Sequence, residues 1–370
     1  MQRLPSSMRA FVLMGHGGPE MLRYRDDWPR PEPRTGEVLI QVQACGLNNT
    51  DINTRTGWYA KAVESGTAES AARGFDDAVA SGGAWGDRTQ FFPRIQGADV
   101  AGVIVAVGED VDRARIGARV IVDPWLLGRD DWMDAARSDY FGSECDGGFA
   151  DFTTVRSENA VAINCALSAA ELATFPCAYS TAENLISRTG LRPGETVVVA
   201  GASGGVGTAA IQLCRLRGAR VIAIAAASKT AALLRLGAHC IVDRGSENLE
   251  GAIREAAGGG VEVALDVVGG STFMHLINSL RQGGRYSASG AISGPLAQFD
   301  LRQMIYKDLQ LTGATIVPPG TMQRIVRLIE QRALLPVLAH TFALRDLAAA
   351  QEVFMAKKHV GNIVVTMSAE

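Results

Sequence analysis

The sequence predicts an α/β protein in which a β-rich domain, built from both ends of the chain, carries an inserted domain with a doubly wound parallel sheet. Three observations support this prediction. Short runs rich in Val, Ile and Phe, separated by glycine turns, dominate as far as residue 167. Strands and helices then alternate up to residue 317, beginning at a glycine-rich turn. Finally, β-like segments return before the end of the chain.

The β-rich domain is predicted over residues 1–167 and again over 318–370. Its strands are expected at 8–14, 38–44, 100–107, 119–122 and 149–155, where apolar residues cluster between turns. After a helix at 321–332, further strands are expected at 339–344 and 362–367. We expect these last strands to rejoin the first domain.

The inserted domain is predicted over residues 168–317. Six strands are expected, at 196–200, 220–225, 240–243, 261–268, 285–289 and 311–316. A helix at 206–217 stops before Gly218, a second ends near Gly237, and a third follows Ser271. Strands joined by helical crossovers predict a parallel sheet with helices on both faces.

Composition and charge exclude several classes of protein. Of 370 residues, 47% are apolar and 20% are charged, which argues against a disordered chain and a membrane bundle. The longest apolar run, 221–227, is too short to span a bilayer. The N-terminus lacks a signal-peptide pattern, so we expect a cytoplasmic protein. A net charge of −3 without charge blocks argues against a nucleic-acid or membrane partner. The expected partner is a small-molecule substrate.

Cysteine and histidine spacing gives no sign of a metal site. The six cysteines contain no C-x-x-C pair, so we expect reduced, mostly buried thiols. The five histidines are scattered, without an H-E-x-x-H motif or a Cys/His cluster. We therefore predict no bound metal.

The strongest local motif is the glycine-rich turn at 201–207, which lies between a predicted strand and a predicted helix. Such a turn lets the backbone approach a diphosphate, whose charge meets the N–H groups of the helix N-terminus. The predicted cofactor-binding residues here are Gly201, Ser203, Gly204, Gly205, Val206 and Gly207.

Two other interpretations of this turn remain open. The letters G-x-S-x-G at 201–205 also fit a hydrolase nucleophile elbow with Ser203 as nucleophile. His239, His275, His340 or His359 could then supply the base. Gly207 has no purpose in an elbow, and a complete dinucleotide-type domain follows, which favours the cofactor. A plain structural glycine turn is the third interpretation.

The end of the second strand predicts which nicotinamide cofactor binds. An enzyme of this fold that selects NAD places an acid about 20 residues beyond the first glycine, but residues 218–230 contain no acid. Ser228 and Lys229 stand there instead, and a hydroxyl with an ammonium suits the 2′-phosphate of NADP(H). A solvated surface lysine is the alternative.

Several ordered motifs extend along nearly the whole chain: A-C-G-L-N at 44–48, G-A-D-V-A-G at 97–102, G-G-F-A at 147–150, A-Y-S-T-A at 178–182 and G-N-I-V at 361–364. Together they resemble the medium-chain dehydrogenase/reductase superfamily, and specifically its zinc-independent quinone and enoyl reductase branch. The resemblance implies a GroES-like catalytic domain with an inserted Rossmann domain, an active site in the cleft between them, and a homodimer or homotetramer.

Departures from the zinc alcohol dehydrogenases support the zinc-independent branch. Those enzymes have a ligand cysteine at the position of Asn48 and a ligand histidine at the position of Ala98. Their cysteine-rich zinc lobe is also missing, because residues 125–145 hold one cysteine. The resemblance therefore implies no zinc, and Cys45 is interpreted as a core residue.

The reductase pattern N-x-x-D-x-x-x-R-x-G-x-Y matches Asn48, Asp51, Arg55, Gly57 and Tyr59. By resemblance, Asn48 and Tyr59 are the catalytic candidates that face the nicotinamide and substrate, although Tyr59 could equally be an aromatic wall. Asp51 and Arg55 are expected to be structural polar partners.

The resemblance also extends the cofactor site. Thr181 is expected to begin a helix near the nicotinamide, and Val268, Gly269 and Ala291 to lie at strand ends near the ribose and carboxamide. Asn362, in the closing motif, completes the set. The stretch 58–94 is longer than in compact relatives, and its length favours a lid or substrate wall over a surface excursion or a dimer contact.

The expected activity is NADPH-dependent reduction of a quinone or of an α,β-unsaturated carbonyl or thioester. An electron-poor carbon accepts the hydride, and a remote oxygen held by hydrogen bonds collects the charge. A non-catalytic, crystallin-like NADPH-binding protein is the rival from another class, and the hydrolase that uses Ser203 is the remote one.

Overall fold

The protein has two halves, each built around one large β-sheet of different construction. The computed structural model describes residues 4–69, 71–75, 91–128 and 131–367. The strands are β1 (Ser7–Leu13), β2 (Leu22–Pro29), β3 (Glu37–Gly46), β4 (Arg94–Ile95), β5 (Asp99–Val107), β6 (Arg119–Val122), β7 (Trp125–Leu126), β8 (Asp139–Tyr140), β9 (Phe152–Arg156), β10 (Ala160–Ala162), β11 (Thr196–Val199), β12 (Arg220–Ala225), β13 (Cys240–Asp243), β14 (Val261–Asp266), β15 (Leu280–Ala288), β16 (Gln310–Gly313), β17 (Leu338–Ala343) and β18 (Asn362–Thr366).

Helices flank both sheets. They are α1 (Asn49–Thr56), α2 (Ala169–Leu172), α3 (Pro176–Thr189), α4 (Gly205–Leu216), α5 (Thr230–Leu236), α6 (Leu249–Ala257), α7 (Thr272–Ser279), α8 (Leu301–Tyr306), α9 (Thr321–Glu330) and α10 (Leu347–Met355). Within the described ranges, no helix is long and apolar enough to cross a bilayer.

The β-rich half is built around a largely antiparallel sheet with strand order β10-β6-β5-β3-β18-β17, with β9 also paired to β3. Strand β18 joins the N-terminal strands directly, because Val364 pairs with Gly46 and Thr366 with Ala44. The predicted return of the chain to its first domain is therefore confirmed. This sheet and the β1–β2–β4 sheet share one apolar core, in which Cys45 is fully buried as expected.

The other half contains a six-stranded parallel sheet in the order β13-β12-β11-β14-β15-β16. Side chains of one strand alternate between its faces. Accordingly, Val197 and Val199 of β11 enter the core on one face, whereas Val198 enters the core on the other. Apolar residues on both faces explain why the strand is continuously apolar. The predicted doubly wound sheet, and with it the α/β fold class, is confirmed.

Some elements differ from the sequence prediction. Thr181 does not begin a helix but lies in the second turn of α3, which starts at Pro176. Proline suits the first helical position, since its missing N–H would be unpaired there. Helix α9 packs on α3, and Ile325 and Ile329 belong to the core of the parallel-sheet half. The boundaries at 167/168 and 317/318 stay a prediction.

Candidate functional site

The glycine turn lies where β11 ends and α4 begins. It is at the point in the sheet from which the chain runs outward in both directions, a usual ligand position in doubly wound sheets. Gly201 has a φ of 65°, which favours glycine. A Cβ on Gly207 would come within 2.3 Å of the Gly201 carbonyl oxygen and 2.5 Å of the Ala202 Cα. The turn can close tightly because both positions are glycine.

A cleft of about 310 Å³ opens over this turn. Eight of the predicted cofactor residues line it: Gly201, Ser203, Gly204, Gly205, Val206, Gly207, Lys229 and Val268. The β-rich half supplies the opposite wall, with Asn49 at the start of α1 and with Phe354, Lys357, His359 and Gly361. The cleft therefore lies between the two halves.

The Lys229 ammonium joins the two walls of the cleft. Its Nζ donates to the Ser203 hydroxyl at 3.0 Å and to the Lys357 and His359 carbonyl oxygens, each at 2.8 Å. The Gly361 N–H also donates to the Ser203 carbonyl oxygen at 2.9 Å. Among the described residues, the hydrogen-bond partner at the Ser203 hydroxyl is thus an ammonium, whereas a hydrolase needs a histidine base there.

The charge of the cleft has one sign. Its described lining contains Lys229, Arg244 and Lys357 but no aspartate or glutamate. Burial, and then the nearby Arg244, lower the pKa of Lys229. The sequence analysis missed Arg244, which follows β13, the neighbour of β12 in the parallel sheet. Arg244 could have been identified because it follows the next strand along the chain after the strand that Lys229 follows.

Other predicted cofactor residues lie at or beyond the edge of this cleft. Ser228 is exposed in a short 3-10 turn and does not contribute to the described lining. Gly269 packs against Ala291, whose Cβ would lie 2.9 Å from a Cβ on that glycine. Asn362 is buried, and its Oδ1 would meet a Cβ on Gly205 at 2.2 Å. Asn362 therefore supports the glycine turn from the β-rich half.

A second polar cluster surrounds Asn48, at the start of α1. The Asn48 Nδ2 donates to Asp99 at 2.9 Å, and its backbone N–H donates to Asp51 at 2.7 Å. Asp99 also accepts from the Cys177 N–H at 2.6 Å. Burial raises the pKa of both Asp51 and Asp99 to about 7. The two carboxyl groups hold Asn48 in place from inside the protein.

Cys177, in the first turn of α3, was missed by the sequence analysis although it directly precedes the A-Y-S-T-A motif. Its thiol is within hydrogen-bond reach of the Tyr140 and Thr181 hydroxyls. Burial raises its pKa well above the usual range, so the sulfur stays a thiol. Thr181 is half-buried and lies beside the Asn48 cluster rather than in the lining of the glycine cleft.

Tyr59 is half-buried, with its ring edge-on to Trp58 at 5.6 Å between centroids. Its phenol is near enough to add to the high pKa of Tyr140, which arises first from burial. Tyr59 therefore lies toward the cluster that contains Cys177 and Thr181. The stretch 58–94 is described only in part, so its prediction as a lid, surface excursion or dimer contact stays a prediction.

Asp51 and Arg55 are both buried, but they bind different groups. The Arg55 guanidinium donates to the Gln351 side chain at 3.0 Å and to the carbonyl oxygens of Gly17 at 2.8 Å and Ala71 at 2.9 Å. Asp51 receives the Asn48 N–H instead. Both residues have structural roles, as expected, but they do not pair with each other.

The donor set near Asn48 does not fit a catalytic zinc ion. The two family ligand positions hold the Asn48 amide and the methyl group of Ala98, and the nearby Cys177 is a protonated thiol. The neighbouring Asp51 and Asp99 carboxyl groups are used to accept from backbone N–H groups and from the Asn48 amide. Across the described ranges, no group of three His, Cys, Asp or Glu side chains is arranged to hold a metal. The absence of zinc stays a prediction.

Comparison with known families matches both halves of the chain. The model of the alcohol dehydrogenase GroES-like domain matches residues 34–164, and that of the zinc-binding dehydrogenase matches residues 205–331. A solved structure from Sinorhizobium meliloti 1021, assigned provisionally as an alcohol dehydrogenase, is 44% identical with a TM-score of 0.89. The alignment covers 99% of this chain and 98% of that one.

Two curated relatives have more specific names. Acryloyl-coenzyme A reductase of Metallosphaera sedula is 28% identical, over 97% of this chain and all of the relative. Quinone oxidoreductase of Mus musculus is 27% identical, over 93% of each chain.

Proposed function

Because the chain belongs to the medium-chain dehydrogenase/reductase superfamily, we propose that it is a reductase that uses NADPH to reduce a conjugated acceptor, either a quinone or an α,β-unsaturated carbonyl or thioester. The similarity to an acryloyl-coenzyme A reductase and a quinone oxidoreductase supports both acceptor classes. We also propose that the protein acts without zinc and works in the cytoplasm as a homodimer or homotetramer.

The positive charge of the cleft is the observation that supports NADPH rather than NADH as the cofactor. Three cationic side chains and the N-terminus of α4 line the cleft, without a carboxylate in its described lining. NADPH brings a diphosphate and a 2′-phosphate, and both are anions that such a lining stabilises. An NAD-selective site would place an acid near the end of β12, where Ala225 and Ala226 stand.

The polar cluster around Asn48 suits a conjugated acceptor. Bound NADPH supplies the hydride. Asn48 is held by Asp99, the Thr181 hydroxyl is within hydrogen-bond reach of the neighbouring Cys177 thiol, and the Tyr59 phenol lies near Tyr140 of the same cluster. Hydrogen-bond donors fixed in this way stabilise charge on an acceptor oxygen without having to reorganise. Tyr59 is the proton donor that we propose for the reduced product.

The test measures NADPH oxidation with a panel of quinones, enones and enoyl thioesters, for the wild type and for Tyr59→Phe. We expect turnover with at least one acceptor class and, for Tyr59→Phe, a kcat about tenfold or more lower with an unchanged cofactor Kd. Trp28→Phe, at a half-buried aromatic residue of β2, is the control and should leave kcat unchanged.

Two results would contradict the proposal as a whole, and a third would contradict the role of Tyr59. If NADPH binds but no acceptor is reduced, the protein is a non-catalytic cofactor-binding protein. If a serine-reactive probe labels Ser203 and abolishes an esterase activity, the hydrolase interpretation is correct instead. Full activity of Tyr59→Phe would remove Tyr59 from the proton transfer and leave it as a pocket wall.

A further inference from the structure

Lys357 lies on the wall of the cleft that faces the glycine turn, directly after α10. Its Nζ donates to the Asn49 Oδ1 at 2.9 Å and lies 3.6 Å from the centroid of the Phe354 ring. No carboxylate among the described residues is within salt-bridge distance of it. The ammonium is thus held by one amide oxygen and a ring face, both weak partners for a full charge.

The backbone at Lys357 makes the choice of residue unusual. Its φ is 51°, in the left-handed region, where a helix commonly ends on glycine. A side chain other than glycine or asparagine at such a position has a conformational cost. The backbone conformation therefore gives no reason for a lysine at this position, and any role of the residue lies in the contacts of its ammonium.

The other charged and titratable groups in the described lining of the cleft are Lys229, Arg244 and His359, all of them bases. Burial, and then Lys229, lower the pKa of Lys357 to about 7. Burial and the two lysines likewise lower the pKa of His359 to about 4, so its imidazole is neutral. The buried His359 Nδ1 has no hydrogen-bond partner among the described residues. On this side of the cleft, no carboxylate of the described lining balances the positive charge.

We propose that Lys357 binds the diphosphate of the cofactor from the side of the β-rich half. This inference rests on the proposed function, because it takes NADPH as the ligand. The glycine turn and the α4 N-terminus bind the same diphosphate from the opposite wall. Lys229 and Arg244 follow β12 and β13, where the adenosine ribose lies in this fold, whereas Lys357 reaches toward the start of α1.

Binding the diphosphate at Lys357 has a consequence for protons. An anion beside the amine restores its protonated form, because opposite charge favours the ammonium. Above pH 7 the complex therefore takes up a proton from the solvent when the cofactor enters. A lysine with a purely structural role would not couple cofactor binding to proton uptake.

The experiment is calorimetric titration of the full-length protein with NADPH and with NADH at pH 8, in two buffers of different ionisation enthalpy. Lys357→Met removes the charge and keeps an unbranched side chain of similar length. Lys357→Arg keeps the charge. Lys358→Met is the matched control, because Lys358 is exposed and is not among the described lining residues.

We expect Lys357→Met to weaken both cofactors by the same factor, about tenfold, and to abolish proton uptake, since both cofactors carry the diphosphate. Lys357→Arg should retain most of the affinity, and Lys358→Met should match the wild type. Unchanged affinity of Lys357→Met, or weaker binding of NADPH alone, would overturn the inference while leaving the proposed function intact. A wild type that binds neither cofactor overturns both.

Discussion

Two buried carboxyl groups determine how the catalytic candidate Asn48 is held. Asp51 accepts its backbone N–H, and Asp99 accepts from its side-chain amide and from the Cys177 N–H. Hydrogen bonds of this kind favour the charged carboxylate, but burial outweighs them and raises the pKa of both groups to about 7. The site therefore keeps its geometry at a cost in stability when these groups ionise.

The pH dependence of unfolding tests this balance. An acid whose pKa is raised in the folded state binds its proton more tightly there than in the unfolded chain. For Asp99 the two values are about 7 and 3.8, so its contribution is complete below pH 4 and is lost as pH rises to 7. We expect Asp99→Asn to reduce this fall in the free energy of unfolding by roughly 1–3 kcal/mol.

The measurement is urea denaturation between pH 4 and 8, with Glu352→Gln on the exposed face of α10 as the control. The control should follow the wild type at every pH. An Asp99→Asn profile parallel to that of the wild type over this range would show that Asp99 is not protonated in the folded state.

At the scale of elements, the strand–turn–helix unit of β11, the glycine turn and α4 builds the cofactor cleft. Each glycine in it has a different reason to be there. A Cβ on Gly207 would overlap the Gly201 carbonyl oxygen at 2.3 Å, whereas a Cβ on Gly204 would have its nearest neighbour at 3.7 Å. Gly207 closes the turn, whereas Gly204 leaves room in the cleft that it lines.

These two positions form a matched pair of substitutions. Gly207→Ala should destabilise the protein by about 1–3 kcal/mol, because the backbone of the turn must shift. Gly204→Ala should keep the stability of the wild type but weaken NADPH binding, since its methyl group enters the cleft. Thermal denaturation and fluorescence titration of NADPH measure the two effects. Equal stability of both variants would contradict the close packing described here.

The elements that the sequence predicts well are those with a regular apolar pattern. The strands β6, β12 and β13 match their predicted bounds because β-branched residues fill them between clear turns. Helix α1 was missed because its sequence, N-T-D-I-N-T-R-T, has no apolar periodicity. Its polar residues are nevertheless buried, and Arg55 is held by backbone carbonyl groups that only the fold brings near. Tertiary contacts there replace the hydrophobic stripe.

In the candidate site, the residues that lie together in the sequence could be predicted, and those that come together only in the fold could not. The glycine turn is local in sequence and was found whole, with Lys229 at the end of the next strand. Arg244, Asn49 and Lys357 were missed, because they converge only through the parallel strand order and the return of the chain to the β-rich half. A residue that joins a site only through contacts with distant segments of the chain has no local sequence pattern to identify it.

At the scale of the whole molecule, the cleft is also one of the places where the two halves are in contact. Gly204 and Gly361 form a β-bridge, and the Gly361 N–H donates to the Ser203 carbonyl oxygen. The Lys229 ammonium uses its three donors on Ser203 and on the carbonyl oxygens of Lys357 and His359. The residue predicted to select the cofactor therefore also joins the halves, and a 2′-phosphate must replace one of these acceptors.

Lys229→Ala separates these two roles. We expect it to weaken NADPH by about ten- to a hundredfold and NADH much less, because only NADPH carries the 2′-phosphate. We also expect faster amide hydrogen exchange over residues 357–361 in the free protein, because two carbonyl groups of this segment lose their ammonium donor. Direct titration with both cofactors and hydrogen-exchange mass spectrometry measure the two effects, with Lys358→Met as the control. If Lys229→Ala weakens NADPH and NADH equally while exchange at 357–361 rises, Lys229 acts on the cofactor only by joining the two halves, and its assignment to the 2′-phosphate is wrong.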